Sequence, residues 1–578
     1  MQKSVKNGAI IAEGFYYEEA NYHVSNEKIS TIFDGKGAIT YYSEANMKEF
    51  ISKGFCCIHS GDQHIDILSP KTVEMLGRKQ KITIEIPVGL VVIEQFLDKS
   101  INGVFMSYEL VSENENAEVT VSFMQNRIND IRLFAEGNVS KIIENSSIYM
   151  ILNKDSKKAK LFVTFNEEQD DNFDISKEFD IAYANCIAEI EGIKVPVGLD
   201  EEELAIYYSS FFCALENYKV KDDYKAFMAG HKYLLPMRSY FRDSYYTVLP
   251  MYNGHTEKIR NQILVLAKGI DEEAICPSAV KFDYSAWWRG HYDSPSFLAM
   301  MLYEYVNYTK DMTILDEKIG DMTVLENAVR TIMKLSENER ENGLLYKEGR
   351  YNKCDWADEV NRSGFVTYNQ ILYARAYYCL SKLFELKGEA EASKKYMDKF
   401  VMVKDAINAE LWDEELGYYI NFKTDEYVES NLSVDTVFAA IFNIADEERA
   451  VRMLKNMERL LECRNNKDIK VKDFGVLCVY PFYSRAYSAY NKSSQPYNYH
   501  NGANWPYLSA MYAYAKRKYG MEYKYALECW FAQNLENDNY TPVEFYSPAC
   551  PDGSLLQAWG GAVAFVMDEE LSLNFWDN

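Results

Sequence analysis

Hydrophobic positions along the chain fall into two textures. Up to about residue 195 they alternate with polar ones, as in Lys81-Ile82-Thr83-Ile84-Glu85-Ile86, Ala117-Glu118-Val119-Thr120-Val121-Ser122-Phe123 and Ala159-Lys160-Leu161-Phe162-Val163-Thr164-Phe165. A period of two places the apolar set on one face of a strand. Turn-rich segments such as Asp34-Gly35-Lys36-Gly37 and Ser112-Glu113-Asn114-Glu115-Asn116 separate these runs, so the first third predicts an all-β antiparallel sandwich. After Val195-Pro196-Val197-Gly198-Leu199-Asp200 the spacing becomes helical, as in Ala205-Ile206-Tyr207-Tyr208 with Phe211-Phe212 and in the run from Phe297 to Tyr305. Further helices are predicted around 322–337, 366–387, 389–412, 432–444, 446–463, 502–519 and 522–535, with no strand alternation between them. Several carry Leu, Ala and Tyr on more than one face, which implies layers of helices rather than one bundle. No fixed repeat of about 20–50 residues is visible, which excludes a coded solenoid. The expected organisation is a β-sandwich domain over 1–195 followed by a toroid of helical hairpins over 196–578.

Composition narrows the partners. The 578 residues hold 62 Lys+Arg against 87 Asp+Glu, a net charge of -25 that repels nucleic acid and anionic lipid. A neutral small molecule is the better fit. The 11 cysteines are odd in number and show no CxxC spacing, so reduced thiols in a cytoplasmic protein are expected. No apolar run approaches the roughly 20 residues of a membrane span. The seven histidines form no HExxH and no pair at helical ligand spacing, and GxSxG, GxGxxG and P-loop patterns are absent. Neither a metal nor a cofactor is expected.

The loops of the helical part carry the unusual residues: Trp287-Trp288-Arg289-Gly290-His291, Cys354-Asp355-Trp356-Ala357-Asp358, Tyr497-Asn498-Tyr499-His500-Asn501-Gly502 and Pro542-Val543-Glu544-Phe545-Tyr546. Sugars offer hydroxyls to polar groups and a C–H face to aromatic rings, so this mixture points to a carbohydrate site. Glycoside hydrolysis usually requires one protonated carboxyl for the leaving oxygen and one carboxylate acting on water or on the anomeric carbon. The acids that meet this description lie in two distant aromatic loops. One holds Asp355, Asp358 and Glu359, among which composition does not choose; the other holds Glu544.

Residues 200–570 resemble the six-hairpin (α/α)6-barrel glycoside hydrolases, the group of amylo-α-1,6-glucosidases, mannosyl-oligosaccharide glucosidases, trehalases, glucoamylases and neutral invertases. The resemblance rests on ordered segments: Phe241-Arg242-Asp243-Ser244, Asp358-Glu359-Val360-Asn361-Arg362, Tyr499-His500-Asn501-Gly502-Ala503-Asn504-Trp505-Pro506, and Pro542-Val543-Glu544-Phe545-Tyr546 followed by Gln557-Ala558-Trp559-Gly560. It implies an inverting reaction with Asp358 as general acid and Glu544 as general base, their carboxyls about 6.5–9.5 Å apart. Asp355 is the competing acid. By the same resemblance Arg242 and Asp243 hold the sugar at the -1 subsite. Trp287, Trp288, Trp356, Trp505 and Trp559 are stacking planes, and Asp355, His500, Asn501 and Gln557 are further substrate contacts. The implied substrate is a neutral α-glucoside or short α-linked oligosaccharide. Rival readings on such toroids are a glycoside phosphorylase, an invertase-like β-fructofuranosidase and a polysaccharide lyase.

Overall fold

A computed structural model describes the chain except at residues 1, 16–20, 46–47, 52–53, 61–62, 65–70, 126–131, 143–146, 165–171, 349–353, 484–488 and 578. The alternating runs form strands. Lys79–Ile86 buries Ile82, Ile84 and Ile86 and pairs antiparallel with Gly89–Phe96, setting Ile82 opposite Ile93 and Ile84 opposite Val91. These strands lie centrally in an eight-stranded antiparallel sheet ordered Gln2–Lys6, Ala9–Phe15, Lys71–Leu76, Lys79–Ile86, Gly89–Phe96, Val104–Val111, Lys158–Thr164 and Arg132–Glu136. A five-stranded sheet runs Val139–Ile142, Ser147–Leu152, Val119–Gln125, Gly54–Ser60 and Gln63–His64, and a four-stranded one spans Tyr22 to Ile51. Ile82, Val91 and Ile93 of the first sheet share one apolar core with Val121, Phe123 and Met150 of the second.

The β texture ends earlier than the alternation suggests. Ile175–Glu191 is a 17-residue helix, capped by the Asp174 side chain accepting from the Lys177 amide. Its Ile175, Phe179, Ala182 and Cys186 form a stripe against Phe96, Phe105 and Phe162 of the eight-stranded sheet. A sheet covered on both faces needs apolar residues on both. The unbroken Leu161-Phe162-Val163 run carried that signal.

The helical part begins at Glu201–Leu215, where Asp200 and Glu203 form a reciprocal N-terminal cap. Helices Ser294–Thr309, Thr367–Leu386 and Pro506–Lys518 are buried around most of their circumference. Val324–Ser336 and Glu447–Leu460 bury a single stripe and turn the opposite face outward. The first kind is enclosed by other elements and the second lies at the surface of the helical part. Two predicted stretches are divided: 432–444 into the 3-10 turn Val434–Val437 and helix Phe438–Ile441, and 522–535 into Lys524–Glu528 and Phe531–Glu536. Short strand pairs also lie between the helices, Phe365–Val366 with Phe422–Lys423 and Trp412–Asp413 with Tyr418–Tyr419. Two residues per strand leave no periodicity to read.

A buried polar seam joins the two parts. Lys219 Nζ donates to Ser25 Oγ and to the Asn26 carbonyl at 2.7 Å each, and Glu216 accepts the Ser25 amide at 2.8 Å. None of the eleven cysteines is joined in a disulfide. Among the described residues no helix is long and apolar enough to cross a membrane.

Candidate active site

Glu544 sits on the loop before the short strand Phe545–Tyr546, which pairs with Pro551–Asp552. The pairing turns the chain back so that the Ser554 amide reaches Glu544 Oε2 at 2.8 Å, while Tyr499 Oη donates to Oε1 at 3.2 Å. Gly553, at φ +92°, lies so close that a Cβ there would stand 2.3 Å from Oε2. Burial raises the Glu544 pKa; the Ser554 amide, Lys492, the Tyr499 hydroxyl and Lys232 offset part of the rise.

Asp358 approaches from the other loop. Its side chain is 29% exposed, with Oδ1 3.8 Å from His500 Nδ1. His500 is buried, stacked on Trp505 with centroids 5.1 Å apart, and accepts the Glu359 amide at Nδ1 at 3.3 Å. Its ring centroid is also 4.1 Å from that of Tyr499. The Tyr499 hydroxyl is held protonated by burial and by the charges of Glu544 and Asp358. Asp358 and Glu544, the pair that the resemblance implies, thus each lie beside one member of the Tyr499–His500 pair.

Asp355, expected as a substrate contact and as the competing acid, has a different position. It is fully buried, with Oδ2 accepting Lys347 Nζ at 2.7 Å and Oδ1 accepting Arg362 Nη2 at 2.8 Å and the Ala357 amide at 3.0 Å. Burial alone would raise its pKa, but the Arg362 and Lys347 charges hold it well below the usual carboxylate range. A carboxyl so fixed in the ionised form has no proton to give at neutral pH. Arg362 also donates to Asp435 Oδ2 at 2.6 Å, and Trp356 Nε1 donates to the same oxygen at 2.6 Å. Trp356, expected as a stacking plane, is 4% exposed and packs edge-on against His500 and Trp505. Asp435 carries no motif and lies on a different segment from the acid loop, so no pattern along the chain marks it.

Arg242 and Asp243 open the helix Phe241–Val248. Arg242 Nη1 donates to Asp293 Oδ2 at 3.3 Å; Asp293 also accepts Tyr368 Oη at 3.2 Å and faces His291 Nδ1 at 2.6 Å. Asp293 is driven up by burial, but His291 and Arg242 outweigh that and leave it below the ordinary range. Asp243 accepts Gln557 Nε2 at 3.3 Å and is pushed up to about 6 by burial, against Arg242 and with Glu544 adding to the rise. Arg242 Nε, Gln557 Oε1, Tyr507 Oη and Trp559 Nε1 are buried polar atoms with no hydrogen-bond partner among the described residues. Tyr507 and Trp559 have centroids 4.6 Å apart.

The remaining expected contacts divide. Trp505 is buried, donating Nε1 to the Tyr499 carbonyl, and Asn501 Oδ1 accepts the Tyr483 amide. Trp287 lies beneath the Arg238 guanidinium at 4.5 Å, whereas Trp288, at φ +51°, is 57% exposed. The β part adds residues that carried no motif: His23 and Tyr41 each pack 5.5 Å from the ring of His231, whose Nδ1 meets the Leu555 carbonyl at 3.0 Å in the Glu544 loop.

Comparison with known proteins places this architecture. A bacterial glucoamylase complexed with acarbose superposes with TM-score 0.58 at 12% identity, covering 97% of each chain, a likeness of fold. A rhamnosidase from Klebsiella oxytoca with rhamnose bound gives TM-score 0.48 at 14% identity over 96% of each chain. An uncharacterized protein of Borreliella burgdorferi is 29% identical over 77 residues, which span 13% of this chain and 16% of that one. The class is that of the glycoside hydrolases. Residues 219–548 match the family described as mannosylglycerate hydrolase MGH1-like glycoside hydrolase domain, and the chain belongs to that family.

Proposed function

We propose that the protein is an inverting glycosidase acting on a neutral α-glucoside or short α-linked oligosaccharide, with Asp358 as general acid and Glu544 as general base. The observation that carries this reading is the pair of half-buried carboxylates around Tyr499 and His500, Glu544 oriented by the Tyr499 hydroxyl and the Ser554 amide and Asp358 beside His500. In this mechanism a water oxygen attacks the anomeric carbon while Glu544 takes a water proton. The glycosidic C–O bond breaks, and Asp358 protonates the departing oxygen. The Tyr499 hydroxyl and Ser554 amide fix Glu544 in place, and its raised pKa brings its basicity nearer neutral pH. The unpartnered atoms of Arg242, Gln557, Tyr507 and Trp559 are groups that sugar hydroxyls would satisfy, which supports a -1 subsite there. Asp355 and Trp356 act one layer below, holding the acid loop.

The (α/α)6 toroid belongs to the same proposal. Helices Phe241–Val248, Ser294–Thr309, Thr367–Leu386, Phe438–Ile441, Pro506–Lys518 and Gly561–Met567 touch in succession, and the last touches the first. That circuit supports a closed inner ring with the loops gathered at one end.

One feature favours a second aglycone class. Lys232 and Lys492 both act on Glu544, and the family's name mentions mannosylglycerate, so an acidic aglycone would meet two cations. The test is proton NMR of the reaction with α-glucosides, sucrose and mannosylglycerate, with and without phosphate, reading the first anomer released. β-Glucose from an α-glucoside supports the proposal, and inversion on mannosylglycerate alone moves the substrate to the second class. Sugar phosphate formed only with phosphate, or the retained anomer appearing first, overturns the hydrolytic inverting mechanism.

A further inference from the structure

Among the described residues the five-stranded sheet ends in the two-residue strand Gln63–His64, which pairs with Gly54–Ser60. Along Gly54–Ser60 the side chains alternate: Cys56 and Ile58 point into the core, while Cys57 and His59 lie on the opposite face. The antiparallel register sets His64 directly across from His59, with ring centroids 4.0 Å apart. One donor atom each from Cys57, His59 and His64 falls within 4.8 Å of the others. Strand geometry thus gathers one sulfur and two imidazoles that show no metal motif in sequence.

We propose that Cys57, His59 and His64 form a Zn²⁺ site that fastens this edge strand. A tetrahedral zinc with Zn–S of about 2.3 Å and Zn–N of about 2.0–2.1 Å needs its ligand atoms roughly 3.3–3.6 Å apart. Closing from 4.8 Å takes about 1.2–1.5 Å, within reach of side-chain rotation at the exposed His64. A thiolate with two imidazoles suits zinc and not the hard cations that prefer oxygen. Three protein ligands leave the fourth position to water. Ser122 Oγ lies 3.5 Å from His59 Nε2 on the neighbouring strand, placed to steady that ring. The role is structural: an edge strand held by so few ladder bonds gains a cross-link that also shields the sheet edge from pairing with another chain.

The test is Co²⁺ titration of tag-free, metal-stripped protein. A sulfur-to-cobalt charge-transfer band with tetrahedral d–d bands, saturating at one equivalent and displaced by one equivalent of Zn²⁺, is expected. Cys57→Ser should abolish the charge-transfer band. His64→Gln, at an exposed side chain, should weaken Co²⁺ binding at least about tenfold, since loss of an outer-shell partner alone often costs that much. Circular dichroism checks that both variants fold, and Cys550→Ser, at the exposed thiol, should leave the band unchanged. Absence of the band in the wild type overturns the site, as does a band that persists in Cys57→Ser or an affinity unchanged in His64→Gln.

Discussion

Replacing Asp355 by Asn separates a structural carboxylate from a catalytic one. In the wild type its two oxygens neutralise Lys347 and Arg362, whose side chains are 2% and 0% exposed. Arg362 keeps Asp435 at 2.6 Å, so the charge left uncompensated is chiefly that of Lys347. Breaking a buried ion pair from one side costs about 3–5 kcal/mol. At about 2 °C per kcal/mol for a chain at the large end, the melting temperature should fall by roughly 6–10 °C. Asp358→Asn removes a partly exposed group and should melt like the wild type while losing about 10²–10⁴-fold in kcat. The comparison is made by scanning calorimetry and by glycosidase turnover on the same preparations. The pH dependence has a definite sign. Asp355 is depressed in the fold, so its stabilisation is fully present above the unfolded value of about 3.9 and is lost as pH falls below it. The difference in melting temperature between wild type and Asp355→Asn should therefore narrow below about pH 4. An Asp355→Asn protein that melts like the wild type yet loses turnover as severely as expected for Asp358 would transfer the acid role to Asp355.

Further outcomes follow from the Glu544 pocket. Glu544→Gln should fold normally, since an amide oxygen can still accept from Ser554 or Tyr499, and should lose about 10²–10⁴-fold in kcat, measured by turnover and calorimetry together. Gly553→Ala brings a methyl against Glu544 Oε2 and strains a left-handed backbone; displacement of the base by about 1 Å should cost on the order of 10²-fold in kcat, with a modest stability loss. Because burial raises the Glu544 pKa and the base must be ionised, the acid limb of the kcat/KM profile should lie above the roughly 4.3 of free glutamate. Tyr499→Phe removes a hydrogen bond that favours the carboxylate, so the limb should move to higher pH; an unchanged limb would detach Tyr499 from Glu544.

Much of this protein was legible along the chain. Alternation in Lys81 to Ile86 and in Ala117 to Phe123 depends only on nearest neighbours, and each run became a strand in the expected place. The helices at 322–337, 366–387 and 389–412 were equally local, since an apolar stripe or an all-apolar surface is written every three or four residues. Glu544 and the group Asp355, Asp358 and Glu359 stand out because acids flanked by aromatic residues on loops are chemically conspicuous, and within that group only the family resemblance points to Asp358. Tertiary structure decided matters that depend on distance in space. The helix Ile175–Glu191 owes its place to phenylalanines on the outer face of a sheet formed by distant segments. Asp355 and Asp358 are three residues apart on one loop, with the same side chain. Only the fold buries the first between Lys347 and Arg362 and sets the second beside His500, because desolvation and charge pairing are set by neighbours that the chain brings from elsewhere.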